Sequence, residues 1–253
     1  MGILEDYQAQ DQWRDWQAMI RQLPIDNHQI VLDLGCGPGL MSNRLASRCE
    51  RVIGIDQDDS FLESARHLCP SNSEFINADL THFDTSGLAP ANGLWSSFTA
   101  AYFPTFAPVL ERWAACLVPG GWLALVEVDD LFTGHHPLPE DIRVTFRDFM
   151  DHARTQGHYD VCMGRRLSSF CEAVGLTVMS EHSWKDQELA FDGKASTVIL
   201  NAWMSRFERM GGMQAYLGPK RSHQVKDAFL EAISSTKHYS TSSVKMVLAK
   251  RPE

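Results

Sequence analysis

An α/β fold with a doubly wound, mostly parallel sheet and helices on both faces is the architecture this sequence predicts. Three observations carry that expectation. Short β-branched apolar runs alternate with segments of helical period between residues 29 and 130, glycine turns follow the first run and precede the last, and strands joined through helices must lie parallel. With 253 residues, 44% apolar and 22% charged, the chain can bury a full core as one large domain, with or without a lid.

Residues 1–28 read as an N-terminal helical lid and residues 29–253 as the main domain. Trp13, Trp16, Ile20 and Leu23 share one helical face that docks on the core, and Pro24 stops the run. Tyr7, just ahead, could close over a ligand. The first strand, 30–34, ends in Gly35-Cys36-Gly37-Pro38-Gly39, and a helix follows over 40–48. The second strand is 51–56, followed by a helix over 58–68 with Ser60 and Glu63 at capping-box spacing. Residues 74–77 form a third strand, 93–99 a fourth and 107–117 a helix, after which Pro119-Gly120-Gly121 turns the chain into the apolar strand 122–128. Farther on, helices are expected over 139–155, over 165–174 with Gly175 as cap, and over 195–210 and 222–234 on either side of the breaker Gly211-Gly212. Residue 176 begins a strand and 244–249 supply the last one. Segments of about 131–165 and 190–235 then form helical cap insertions.

Charge narrows the partners. Lys and Arg number 23 against 32 Asp and Glu, a net charge of -9, so no diffuse basic surface is present to release counterions from a nucleic-acid backbone. Six cysteines without a CxxC pair read as reduced thiols. The N-terminus lacks a basic segment followed by an apolar one, Asp6 stands where a myristoylation signal starting at Gly2 needs Ser or Thr, and no apolar run reaches membrane-spanning length. The expectation is a cytoplasmic protein without membrane or nucleic-acid partners.

The chemistry is concentrated at strand ends. Glycines after a buried parallel strand let a ligand touch the main chain, and the next helix offers unpaired N–H groups. Asp56 ends the second strand, 17 residues after Gly39, where a carboxylate can accept both hydroxyls of a ribose. Asp79 follows the third strand, where its carboxylate and the next N–H can pair with an adenine edge. A dinucleotide fingerprint would need glycine at position 40, which is Leu40, and a triphosphate loop would need Lys and Ser/Thr after the glycines. The expected ligand therefore carries no pyrophosphate.

The ordered set Leu32-Asp33-Leu34-Gly35-Cys36-Gly37-Pro38-Gly39, Asp56, Asn77-Ala78-Asp79 and the turn-strand LVPGGWLALVE resembles class I S-adenosylmethionine-dependent methyltransferases over roughly residues 30–130. The resemblance implies a Rossmann-like sheet of seven strands in the order 3-2-1-4-5-7-6, the seventh antiparallel, with S-adenosylmethionine as cofactor. It places the methionine part against Gly35, Gly37 and Gly39, with Asp33 orienting the loop and the amino group. Asp56 would hold the ribose, Gln57 would flank the adenine, and Asp79 and Leu80 would bind its edge. Ser97 and Phe98 would lie beneath the sulfonium, although Asn92-Gly93-Leu94 replaces the acid that often opens the fourth strand.

A sulfonium methyl is an activated electrophile, so the reaction needs alignment and exclusion of water more than a metal or a covalent intermediate. A base, where the acceptor needs one, would come from the fifth-strand end, where Asp129, His135 and His136 are the catalytic candidates and the alternative is a solvated turn. No metal is expected. The acceptor is expected to be a small molecule, with Tyr7, Trp13, Tyr102, Trp203 and Arg206 as candidate contacts. Of these, Arg206 could hold an acidic group and Trp203 could equally be packing, while Phe103, His158 and Tyr159 are further candidates. Two other readings stay open: an NAD(P)-dependent oxidoreductase, which would use the same sheet, and a non-catalytic S-adenosylmethionine-binding protein, which shares every motif.

Overall fold

Seven strands form one sheet whose order is set by right-handed crossovers through helices. The computed structural model describes residues 3–83, 88, 90–103 and 105–253, so Gly2 and the very start of the lid lie outside the described residues. The sheet contains β1 (Ile30–Leu34), β2 (Arg51–Asp56), β3 (Ser73–Asn77), β4 (Ala91–Ser97), β5 (Leu117–Asp129), β7 (Thr177–Trp184) and β9 (Ser243–Lys250), in the order β3-β2-β1-β4-β5-β9-β7. Strand β9 runs antiparallel to β5 and β7, and the pairs among β1 to β5 are parallel, as expected. A separate two-stranded ribbon joins β6 (His135–His136) to β8 (Tyr239–Ser240).

The strands alternate their side chains between two cores because successive residues of a strand point to opposite faces. Val31, Val52, Trp95 and Val126 belong to one core, and their neighbours Leu32, Ile53, Leu94 and Leu125 to the other. Helices α3 (Leu40–Ala46) and α4 (Asp59–Leu68) connect the first three strands, and α5 (Phe106–Ala115) lies between β4 and β5. The first core continues into a helical roof made by α6 (Glu140–Thr155), α8 (Thr197–Arg209) and α9 (Gly211–Ser234), where Phe132, Phe146, Trp203, Phe207 and Phe229 interlock. Among the described residues, no helix is long and apolar enough to cross a membrane.

Four elements differ from the sequence expectation. The N-terminal stripe is split into α1 (Ile3–Asp11) and α2 (Trp16–Ile20), because the Asp15 carboxylate accepts from Ala18 N at 2.9 Å and starts a new helix there. Asp58, not Ser60, caps α4, accepting from the backbone of Ser60 and Phe61. The helix before Gly211-Gly212 ends as expected, α8 stopping at Arg209, but the pair itself opens α9, and a second break falls at Gly218 (φ 71°), whose helical conformation the following Pro219 disfavours. The expected 165–174 helix begins as a tight 3-10 turn, Met163–Arg166, and becomes α7 at Leu167–Ala173.

Candidate active site

The C-terminal ends of the parallel strands share one edge of the sheet, and the loops leaving them form the floor of a cleft of about 1700 Å³. Gly35 is fixed there by closeness: its N–H donates to Ile55 O at 2.8 Å, and a Cβ would stand 2.1 Å from Thr99 Oγ1. Gly37 is different. It has φ +51°, nothing lies within 4 Å of where its Cβ would be, and it faces the cleft. Gly39 does not line the cleft, because it packs against α4, where a Cβ would meet Ala65 Cβ at 2.7 Å. Its expected ligand contact is therefore corrected to a packing role.

Asp33 does not line the cleft either. Its carboxylate is 1% exposed and accepts the Ser42 hydroxyl at 2.6 Å, which ties the glycine loop to α3. Burial pushes that carboxyl up to about 7. Asp56 lies on the cleft wall. Its Oδ2 accepts from Gly37 N at 2.9 Å and its Oδ1 from Asp58 N at 3.0 Å, which holds both oxygens in place with lone pairs to spare for hydroxyls. Gln57 stands beside it. Asp79 and Leu80 line the same wall, where the backbone N–H of Thr81 donates to Asp79 at 2.8 Å and keeps its carboxyl below the usual range.

Ser97 and Phe98 end the floor. Phe98 takes φ 54°, a conformation costing an aromatic residue about 1–3 kcal/mol, while its N–H donates to Val126 O at 2.8 Å. The turn beyond is held from beneath by Glu127, a fully buried carboxyl that accepts from Ala101 N at 3.1 Å and is pushed up to about 8 by burial.

Long side chains make the roof. Tyr7 meets Phe61 edge-on at 5.3 Å, and Tyr102 meets Tyr159 at 4.8 Å, all four at the cleft. Burial raises the Tyr159 hydroxyl well above 10, so it remains a protonated donor at neutral pH, while Tyr102 is 60% exposed. Arg14 lies 4.8 Å over the Phe98 ring and is 3.0 Å from Glu188, whose other oxygen pairs with Arg206. Burial opposes the charge of Glu188, but Arg206 and Arg14 together hold its carboxyl below the usual range.

Five further expected residues are not brought to the cleft. Trp13 sits in the turn between α1 and α2, its C=O accepting from Gln187 N at 3.2 Å, and Trp203 is fully buried with its indole N–H donating to Glu188 O at 3.0 Å. Asp129 pairs with Arg165. His135 is buried with Nδ1 2.9 Å from His238 Nε2, and burial pushes it down to about 3. His136 stacks on Tyr239 at 4.6 Å, beside Arg143. The cause is local. Asp130 takes φ 64° and its carboxylate accepts from Thr133 N and Oγ1, which turns the chain away from the strand end and into β6. None of the three catalytic candidates therefore faces the cleft.

His158 and Tyr159, weakly signalled by their turn, do line it, as does His152, stacked on Tyr216 at 4.4 Å. Arg14 and Glu188 were not singled out from sequence. Their pairing spans 174 positions and leaves no local pattern.

Residues 31–121 match a family model described as a methyltransferase domain. Trans-aconitate 2-methyltransferase of Rhodopseudomonas palustris is 31% identical over 134 residues, covering 51% of this chain and 50% of that protein, and the enzyme of that name from Azoarcus is 32% identical over 119 residues. The chain thus matches about half the length of these curated relatives. Among solved structures, a candidate methyltransferase of Bacillus halodurans aligns with a TM-score of 0.64 at 17% identity over 94% of this chain and 99% of that one. The N-methyltransferase NodS of Bradyrhizobium japonicum, solved with S-adenosylhomocysteine, aligns with a TM-score of 0.53 at 13% identity over 90% and 80%. These two likenesses bear on the fold.

Proposed function

We propose that this chain is a class I S-adenosylmethionine-dependent methyltransferase, which transfers the cofactor's methyl group to a nucleophilic oxygen or nitrogen of a small molecule held under the helical roof; the methyltransferase-domain match over residues 31–121 supports that reading. The observation that carries the reading is the continuity of the cleft, which runs from Gly37 and Asp56 past Ser97 and Phe98 to Tyr102, Tyr159 and Arg206 without a dividing wall.

The floor fits such a cofactor. Gly37 leaves open the space that any side chain would fill, and Asp56 presents an oriented carboxylate where a ribose would lie. When bound, S-adenosylmethionine supplies an activated methyl electrophile. In this reading Gly35 and Gly37 admit the methionine moiety, Asp56 accepts the ribose hydroxyls, and Asp79 with the Leu80 N–H reads the adenine edge. Phe98 lies against the reacting end. The aromatic roof excludes water and aligns the acceptor with the transferable carbon, and this positioning supplies most of the acceleration. Tyr102 and Tyr159 donate hydrogen bonds to the acceptor. Where the acceptor must lose a proton, His152 and His158 are the imidazoles on the cleft wall.

Calorimetry with S-adenosylhomocysteine and NADH tests the cofactor half, and methyl transfer from radiolabelled S-adenosylmethionine to a panel of acids, phenols and amines that includes trans-aconitate tests the rest. Binding of S-adenosylhomocysteine without NADH, followed by label transfer, is expected. NADH binding would restore the oxidoreductase reading, and cofactor binding without transfer to any acceptor would favour a non-catalytic binding protein.

A further inference from the structure

The cleft is larger than one cofactor needs, and much of the surplus wall is apolar. Its volume of about 1700 Å³ exceeds the roughly 300–1,000 Å³ of a pocket that buries one drug-sized ligand, so a nucleoside joined to an amino acid leaves space for a sizeable second molecule. Past the strand ends the lining is made of core side chains. Val128, Leu131, Phe149, Val161, Leu189 and Met213 are each at most 6% exposed, yet all six line the cleft and pack in one cluster with Trp16 and Phe98.

Local structure brings these six together. The backbone N–H of Leu131 donates to Val161 O at 3.2 Å, which ties the segment after β5 to the segment after α6. On α6, Phe149, His152 and Ala153 recur at i, i+3 and i+4 and turn one face to the cleft, while Arg147, Asp151 and Arg154 stay exposed. Phe149 lies 6.0 Å from Tyr216 of α9, and His152 stacks on the same ring.

Charge on the wall argues against an acceptor that is itself highly charged. The guanidiniums of Arg14 and Arg206 share Glu188, and Arg14 also stands 3.6 Å from Asp186, so two cations already face two buried carboxylates. Among the described residues, Arg209 is the lining arginine outside that balance, and the lining carboxylates Asp11, Asp56, Asp58 and Asp79 outnumber it. A small polyanion would give up its hydration for little in return, whereas an apolar body gains with each Å² it covers. Apolar hollows hold water poorly and take up apolar guests.

We propose that the methyl acceptor carries a bulky, ring-bearing apolar body, which is buried among those six side chains while its nucleophilic oxygen or nitrogen points toward Phe98. This names the acceptor class for the proposed methyl transfer and rests on it. The acceptor atom lends its lone pair to the methyl carbon, the carbon–sulfur bonding pair stays on sulfur, and the acceptor's proton leaves to an imidazole of the wall, His152 or His158.

Calorimetry with 2-naphthol, phenol and trans-aconitate, each added to protein saturated with S-adenosylhomocysteine, tests the assignment. The second ring of 2-naphthol should make it bind about tenfold or more tightly than phenol, and trans-aconitate should bind more weakly than 2-naphthol. Ala153→Phe fills the hollow from α6, and Val161→Thr puts a hydroxyl into its wall at nearly constant volume. Each should weaken 2-naphthol about fivefold or more while S-adenosylhomocysteine affinity holds. Thermal melts check the fold, and the milder Val161→Thr decides the matter should Ala153→Phe not fold. Tighter binding of trans-aconitate than of 2-naphthol, or 2-naphthol binding that no folded variant alters, overturns the apolar acceptor and leaves the methyltransferase reading standing. If wild type binds no S-adenosylhomocysteine, that reading falls and the acceptor assignment with it.

Discussion

The floor of the cleft is made of main chain and short acids, whereas the roof is made of long side chains from distant parts of the sequence. On the floor, Gly35, Gly37 and Asp56 bond to one another's neighbourhood within two adjacent strands, and the polar atoms that shape it are paired. In the roof, Arg14, Glu188 and Arg206 come from three separate segments, and donors are left over. The difference teaches where specificity resides. A floor satisfied by its own backbone can serve any molecule built on one nucleoside, while a roof assembled from distant segments decides what else fits beneath it.

The comparison breaks most visibly at Glu188. Glu188→Ala removes the buried carboxylate that Arg14 and Arg206 share, and removing one partner of a buried ion pair costs about 3–5 kcal/mol. Thermal melts should show a fall of roughly 6–20 °C for a domain of this size. S-adenosylhomocysteine affinity in the remaining folded protein should stay near wild type if floor and roof are separable, and a parallel collapse of cofactor binding would join them.

Gly37→Val attacks the floor. The side chain projects into the open space above the loop, so cofactor binding should drop below calorimetric detection, while the left-handed backbone adds only about 1–2 kcal/mol of destabilisation. Retained binding would place the ligand elsewhere. Asp56→Ala should lower cofactor affinity about ten- to a hundredfold, as expected for loss of a charge-assisted bond that also holds Gly37 N–H.

Titration sharpens the contrast further. Asp33 and Glu127 have folded-state values raised to about 7 and 8, so the fold favours their protonated forms, and the stability they contribute is lost as pH rises from the ordinary carboxyl range through those values. His135 is shifted the other way and costs stability as pH falls from its ordinary value toward about 3. The two effects oppose each other below about 6.5, the ordinary histidine value, and only the carboxyl effect acts above it. Melting temperature should therefore decline between pH 6.5 and 8, and Glu127→Gln should flatten that decline. An unchanged slope would show that Glu127 is ionised in the fold. The smallest effect is expected from His136→Ala, which should leave the methyl-transfer rate unchanged across pH because the ring stacks on Tyr239 outside the cleft.

Sequence legibility follows the same division. The strand-end glycines and acids stand out because a nucleoside pocket at a parallel sheet edge demands those residue types at those positions, and Asp56, Gln57, Asp79, Leu80, Ser97 and Phe98 all reach the cleft. Even here, spacing did not distinguish Gly37, which faces the space a ligand needs, from Gly39, which faces Ala65, since both have positive φ and differ only in what lies opposite. Strand-end position misled at Asp129, His135 and His136 because the turn at Asp130 carries them to another face. Arg14 was hidden between two tryptophans whose helical spacing suggested one continuous stripe, which Asp15 interrupts. Trp203 and Arg206 share a helix and diverge by burial, a difference fixed only when α8 meets α9.

The clasp of one carboxylate around two guanidiniums also bears on how a guest gains entry. Moving the amino-terminal segment away from α8 would part Arg14 from Glu188 and leave Arg206 as the sole guanidinium of that pairing. The glycine pair at the head of α9 also lines the cleft, so that stretch of wall is main chain rather than charged side chain.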